Sequence, residues 1–188
     1  LPVGRISLEV QIEDALGLLH VAEIAAASPR LASLVFGPGD FMASLGMGGL
    51  SVGTQPEGYP ADAFHHVLAS ILVAARAYGL QAIDGPYVAI RDVEGFRRSA
   101  ELSAALGYDG KWVLHPAQVE AGNEVYSPRP ADFERAQRIM AAYAEATQRA
   151  RGAVGAIVVD SEMVDEAGVK LAAAILARGG AAGMEENR

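Results

Sequence analysis

The feature that most constrains this chain is a fourfold alternation of short apolar runs with helical sequence. The runs lie at residues 6–13, 31–36, 80–84 and 111–115. In the first, ISLEVQIE, apolar and polar residues alternate as they do along a β-strand. In the stretch that follows, residues 17–27, Leu18, Val21, Ile24 and Ala25 fall on one helical stripe. Strand-helix units repeated in this way predict a parallel sheet with crossover helices. Four units are half of an eight-stranded β/α barrel, and a small open doubly wound sheet is the alternative. No Gly-x-Gly-x-x-Gly turn follows the first strand, so a dinucleotide-binding fold has no support.

The first two runs end in sequence that carries carboxylates. Ile12-Glu13-Asp14 closes the first, and Phe36-Gly37-Pro38-Gly39-Asp40-Phe41 follows the second. Glu13 and Asp40 are therefore expected at the C-terminal ends of two neighbouring parallel strands, the end at which a β/α barrel keeps its chemistry. Two close carboxylates repel unless a positive charge lies between them. A hard cation with oxygen ligands, most simply Mg²⁺, meets that need. On its own Glu13 reads more readily as an ordinary strand-end acid. Asp40 has a competing account as the N-cap of the segment FMASLG. Asp14 reads as a cap or a neighbour of the site.

Further along, the glycine- and proline-rich stretch 46–60 predicts a long loop on the carboxylate side, and residues 61–78 a long helix. Asp84-Gly85-Pro86-Tyr87 ends the third run in a turn. Asp92 is expected to cap a helix that stops at Gly107. Pro116 opens the next helix. Residues 131–151 predict a long amphipathic helix, 153–160 a last apolar run and 162–178 a terminal helix.

Composition removes several classes. The chain contains no cysteine, which excludes thiolate catalysis and disulfides. Fifteen basic against twenty-three acidic residues give a net charge of −8, which argues against nucleic acid as the main partner. No stretch approaches the roughly 20 apolar residues of a membrane span, so no membrane partner is expected. The chain begins at Leu1 within a few residues of the first strand. A partial chain is expected.

Seven motifs occur in order: Ile12-Glu13-Asp14-Ala15-x-Gly17-Leu18; residues 25–31, AAASPRL; Phe36 to Phe41, FGPGDF; Asp84-Gly85-Pro86-Tyr87; Gly110-Lys111 with His115-Pro116-x-Gln118; residues 123–128, NEVYSP; and Met163-Val164-Asp165. Together they resemble the HpcH/HpaI aldolase and citrate lyase β-subunit superfamily, and within it malyl-CoA and β-methylmalyl-CoA lyases. The resemblance implies a TIM (β/α)8 barrel of the phosphoenolpyruvate/pyruvate-binding type. This chain would be strands five to eight, residues 1–152, with a C-terminal lid at 153–188. It implies Mg²⁺, with Mn²⁺ as a substitute, on Glu13 and Asp40. Gly39, Asp40, Asp84 and Pro86 would contact substrate. Asp165 would be the catalytic acid/base, acting in a neighbouring subunit of a homotrimer or homohexamer.

The implied activity is reversible Claisen-type cleavage of malyl-CoA or β-methylmalyl-CoA to acetyl-CoA or propionyl-CoA plus glyoxylate, in the cytoplasm. A malyl-CoA thioesterase, a citramalyl- or citryl-CoA lyase and a CoA-independent metal-dependent aldolase remain alternatives. The family's substrate arginine lies on an earlier strand, in a half of the barrel absent from these 188 residues. With two unpaired sheet edges, the piece alone is expected to be inactive and poorly soluble. Among other candidates, His115 reads as a buried histidine, hydrogen-bonded to hold a strand-to-helix turn. Lys111 could form a Schiff base, but it is expected to begin its strand, away from the catalytic end. His65 and His66 are adjacent on a helix and point about 100° apart, which is unsuited to a shared zinc ion.

Overall fold

In the computed structural model, which describes residues 4–152 and 154–185, the first strand β1 is Leu8–Ile12. Two short helices follow, α1 (Ala15–Leu19) and α2 (Val21–Ala26), then β2 (Leu31–Phe36), α3 (Pro38–Ser44), α4 (His65–Ala77) and β3 (Gln81–Asp84). The unit continues through α5 (Val93–Leu106), β4 (Gly110–Lys111), a 3₁₀ turn (Pro116–Gln118) and α6 (Val119–Tyr126). The four strands pair in sequence order, each parallel to the next. The chain divides into two compact units, residues 1–126 and 127–188. No helix among the described residues is long and apolar enough to cross a membrane.

Strand alternation decides what each face of the sheet does. Val10, Ile12, Leu34, Phe36 and Ala82 face the core, where Val21, Ala25, Val67, Leu68, Ile71 and Ala75 pack against them. The residues between them, Glu9, Gln11, Val35 and Ile83, line an open concavity of about 380 Å³ with Trp112. Ser33 on this face donates to Glu9 Oε1 at 2.9 Å, which satisfies a hydroxyl that is otherwise buried.

Local chemistry sets the helix ends. Asp14 caps α1 by accepting the Gly17 N–H at 2.6 Å, and Asp92 caps α5 by accepting that of Gly95 at 2.8 Å. Gly107 closes α5 at φ +112°, where a side chain would be strained. The single helix expected over 17–27 is broken at His20, whose φ −106° and ψ 17° are non-helical. The long helix starts at His65 rather than residue 61. Before it, Asp62 accepts the Phe64 N–H and the Gln55 amide, and Gln55 accepts the Ala63 N–H, so the chain is held as a turn.

The fourth strand is the main departure. Of the apolar run expected at 111–115, only Lys111 is paired, with Gly110 before it. Trp112, Val113 and Leu114 are exposed. Lys111 therefore ends its strand, in register with Asp84.

The second unit packs α7 (Pro130–Ala150) and α8 (Glu166–Ala181) with an antiparallel hairpin, β5 (Ala156–Val159) and β6 (Glu162–Asp165). Its core joins Ala136, Ile139, Val159, Val164 and Ala172. Asp160 and Ser161 form the hairpin turn, both at positive φ, as a two-residue turn between twisted strands requires. Arg138 binds Asp160 at 2.9 Å, and Arg135 binds Glu162, fastening the turn to α7. Residues 162–165, expected to open a helix, are strand. β5, β6 and α8 share their unit with α7, and that unit begins at Ser127.

Candidate active site

At the end of β1, Ile12 is in register with Phe36 of β2, and the Gly37 N–H donates to the Ile12 carbonyl at 2.9 Å. Glu13 is the next residue, half-buried. A Cβ placed on Gly37 would lie 2.5 Å from Glu13 Cβ and 2.7 Å from Gln11 Nε2. Glu13 thus shares the open face with Gln11, beside the start of α3. That helix begins at Pro38, whose ring presets φ for a first helical position. Its N-cap is Gly37, so Asp40 stands in the first turn and is not the cap. No hydrogen bond or ion pair joins the Glu13 or Asp40 side chain to another described residue.

The N–H groups of Gly39 and Asp40 lie too early in α3 to find an acceptor within it. The first to do so is Phe41, bonded to the Gly37 carbonyl at 3.1 Å. Two partner-free carboxylates therefore adjoin two open donors at one end of adjacent parallel strands. Among the described residues no three His, Cys, Asp or Glu side chains form a metal cluster. A pair of carboxylates fits Mg²⁺, which keeps several waters and takes one or two carboxylates. It does not fit a structural zinc site with four protein ligands.

Asp84 is placed differently. It follows the alternation of Ala82, so its side chain lies on the helix-facing side of the sheet, opposite to Ile83. It is 5% exposed. Its Oδ2 accepts from Lys111 Nζ at 2.6 Å and its Oδ1 from the Gly85 N–H at 2.7 Å. The Lys111 side chain is 2% exposed. The Schiff-base reading of Lys111 was set aside because the residue was expected at the start of its strand, and that ground falls. The ion pair and the side of the sheet replace it as the reason, since Lys111 is buried away from the face that carries Glu13.

Gly85 and Pro86 connect this pair to the carboxylate rim. A Cβ on Gly85 would meet Pro38 Cδ at 2.2 Å and the Phe36 carbonyl oxygen at 2.5 Å. The loop from 46 to 60 closes the other side. Gly53, at φ +79°, touches the Pro86 carbonyl, and Val52 lies beside Gly39. Gln118, buried and unremarked in the sequence beyond its motif, donates to the Tyr87 carbonyl at 3.0 Å and accepts the Leu114 N–H. Tyr87 donates to Asp92 at 2.8 Å. The Gly95 N–H and then the Tyr87 hydroxyl, both donating to Asp92, hold its carboxyl below the ordinary carboxylate range. His115 is exposed where burial was expected, but its Nδ1 accepts the Ala117 N–H at 3.1 Å and so braces the turn into the 3₁₀ segment.

Asp165 belongs to the second unit. It ends β6 and caps α8, its Oδ1 accepting the Gly168 N–H at 3.0 Å. The side chain is exposed, and its second oxygen has no bond to another described residue.

A parallel β/α sheet with carboxylates and open N–H donors at its C-terminal strand ends has its polar groups where β/α barrels keep their chemistry. Comparison narrows the reading. The HpcH/HpaI aldolase/citrate lyase family model matches residues 2–116. The chain is 44% identical over 181 residues to the L-malyl-CoA/beta-methylmalyl-CoA lyase of Rhodobacter capsulatus, covering 92% of this chain and 56% of that protein. It is 39% identical to a (3S)-malyl-CoA thioesterase of Cereibacter sphaeroides, over 94% of this chain and 58% of the other. Among solved structures it is similar to CitE of Mycobacterium tuberculosis in complex with magnesium, acetoacetate and coenzyme A. That match has a TM-score of 0.72 and 32% identity, over 93% of this chain and 61% of the other. The chain belongs to the HpcH/HpaI aldolase/citrate lyase family, and it spans somewhat over half the length of the curated relatives it matches.

Proposed function

We propose that the chain is the part of a TIM barrel comprising strands five to eight, with a C-terminal lid from residue 153, of a Mg²⁺-dependent CoA-ester lyase. The reaction is reversible cleavage of malyl-CoA or β-methylmalyl-CoA to acetyl-CoA or propionyl-CoA and glyoxylate. The observation that carries the reading is the pair of partner-free carboxylates, Glu13 and Asp40, on adjacent parallel strand ends in a chain so similar to a lyase of those substrates. Glu13 and Asp40 hold the cation, and Mn²⁺ can replace it. Bound there, the metal polarises the carbonyl of the 2-oxo acid and orients the two fragments. The Gly39 and Asp40 N–H groups donate to the small acid's carboxylate, at a helix terminus that favours negative charge. The Asp84-Gly85-Pro86 turn borders the thioester portion.

In cleavage the hydroxyl of the substrate gives its proton to solvent water, from which Asp165 is later reprotonated, and becomes the carbonyl of glyoxylate. The electron pair of the broken carbon–carbon bond passes to the thioester α-carbon. Asp165 delivers the proton that carbon takes up, and removes it in the reverse direction. Its exposed second oxygen supports that role. We assign it to the site of a neighbouring subunit in a cytoplasmic homotrimer or homohexamer. Mixing Glu13→Gln and Asp165→Asn subunits, each inactive alone, then regenerates turnover. Mixtures that stay inactive refute action between subunits.

The similarity to a malyl-CoA thioesterase favours one second reading, hydrolysis of the same thioester to malate and free CoA. One assay separates the two: malyl-CoA turnover by the full protein, with glyoxylate and free thiol followed together, with and without EDTA. Glyoxylate formed in step with acetyl-CoA and abolished by EDTA is the expected result. Free thiol without glyoxylate overturns the lyase in favour of the thioesterase.

A further inference from the structure

We infer that Lys111 is a positioning residue for the metal site, acting through Asp84 and the 84–87 turn without touching substrate; this rests on the metal reading of Glu13 and Asp40. The pair is buried on the helix side of the sheet, with Lys111 2% and Asp84 7% exposed at the side chain. Burying two charges is costly and does little for net stability, so the pair needs an account other than the strength of the fold.

Its geometry supplies one. Lys111 holds one Asp84 oxygen, and the other fixes the Gly85 N–H. The Asp84 carbonyl accepts the Trp112 N–H at 2.9 Å, and the Tyr87 carbonyl accepts Gln118 Nε2 at 3.0 Å. The turn is thus clamped at both ends. Gly85 bears on Pro38 with no room for a methyl group, and Pro86 bears on Gly53 of the loop in the same way. Pro38 opens α3, and Asp40 lies in the same helical turn. A turn released from Lys111 shifts the contact that sets where α3 begins, and with it the carboxylate and the N–H groups of residues 39 and 40.

The test is Mg²⁺ affinity, read by calorimetry on the full protein without substrate. Lys111→Met keeps the volume and removes the ammonium. Val21→Ala is the control, because it removes buried apolar volume from the core of the same unit, on α2 and not on the turn. Displacing groups that orient metal ligands costs roughly 10–100-fold in affinity. The expected result is a Mg²⁺ dissociation constant raised at least about tenfold in Lys111→Met and unchanged in Val21→Ala. Wild-type affinity in Lys111→Met overturns the inference, and so does an equal loss in both variants, which marks general loosening. If Lys111→Met does not fold, Asp84→Asn is judged by the same criterion. It keeps an acceptor for Gly85 and loses the charge that holds Lys111. A wild-type protein that binds no Mg²⁺ overturns the metal reading itself, and this inference with it.

Discussion

Gly37→Ala tests the position of Glu13 more directly than removing its carboxylate does. Gly37 has φ −103°, which alanine adopts freely, so the substitution carries no backbone penalty. The added Cβ would lie 2.5 Å from Glu13 Cβ, 2.7 Å from Gln11 Nε2 and 3.1 Å from Gln11 Cγ. The Gln11 amide is the far end of a flexible chain and swings away. Glu13 Cβ is fixed to the backbone and cannot. Carbon atoms rest at about 3.5–4.0 Å, so the two residues must part by about 1 Å. Overpacking of this kind costs about 1–3 kcal/mol. For a chain of this size that lowers Tm by about 2–12 °C, at roughly 2–4 °C per kcal/mol. The protein remains folded, but a shift of about 1 Å at a reacting centre costs on the order of 100-fold in rate. The assay is malyl-CoA cleavage by the full protein over a Mg²⁺ titration, beside thermal melts. Gly48→Ala is the control, because nothing lies within 4 Å of its added Cβ. A Gly37→Ala protein with wild-type turnover and wild-type Mg²⁺ dependence would falsify the placement of Glu13 at the working metal site.

Three further outcomes are expected. Glu13→Gln and Asp40→Asn lose about 100-fold or more in turnover yet melt no earlier than wild type in EDTA, since neither carboxylate has a partner among the described residues to lose. Mg²⁺ at a hundred times its Kd stabilises the wild type by about 2.7 kcal/mol, and thermal melts should show this stabilisation missing in both variants. Asp165→Asn keeps an oxygen to cap α8 and so keeps its Tm, while losing about 100-fold or more in turnover. Asp165→Ala loses both, with about 1 kcal/mol of stability gone; equal melts for the two variants would count against the cap. Burial, and then the nearby Asp84 charge, raise the Tyr108 hydroxyl far above its ordinary 10.0, and burial does the same to Tyr126. The folded state therefore holds these protons longer than the unfolded chain does. Their contribution is complete below about pH 10 and is lost as pH rises beyond it. Melts between pH 8 and 11.5 should fall less steeply in Tyr108→Phe and Tyr126→Phe than in wild type, and parallel curves would refute the assignment.

What the sequence revealed, and what it hid, follows from how local each signal is. β2 occupies residues 31–36 as its apolar run predicts, and the caps at Asp92 and Gly107 fall where their chemistry places them. Glu13 and Asp40 stand along the chain where the runs place them, Glu13 just past the end of β1 and Asp40 in the first turn of α3 after β2. The run 111–115 misled because apolarity was taken for burial. Trp112, Val113 and Leu114 are exposed in this chain, so their hydrophobicity marks no strand. β6 was missed because it is four residues long, with only Met163 and Val164 between two acids, and the turn at Asp160 and Ser161 takes positive φ without glycine or asparagine.

The least legible feature is the one on which the rim depends. Nothing in the spacing of Asp84 and Lys111 brings them together. Only the register of β3 with β4 does so, and that register exists because the fourth strand ends at Lys111 instead of beginning there. One misplaced strand boundary therefore reverses the reading of a lysine, from a residue remote from the catalytic end to one that lies at it. The same alternation that turns Glu13 towards the open face turns Asp84 away from it. A carboxylate at a strand end is thus not by itself a ligand. Facing the open side, it is free to meet a cation. Facing the helices, it must bring its own counter-charge, and here it uses that bond to hold the turn on which α3 rests.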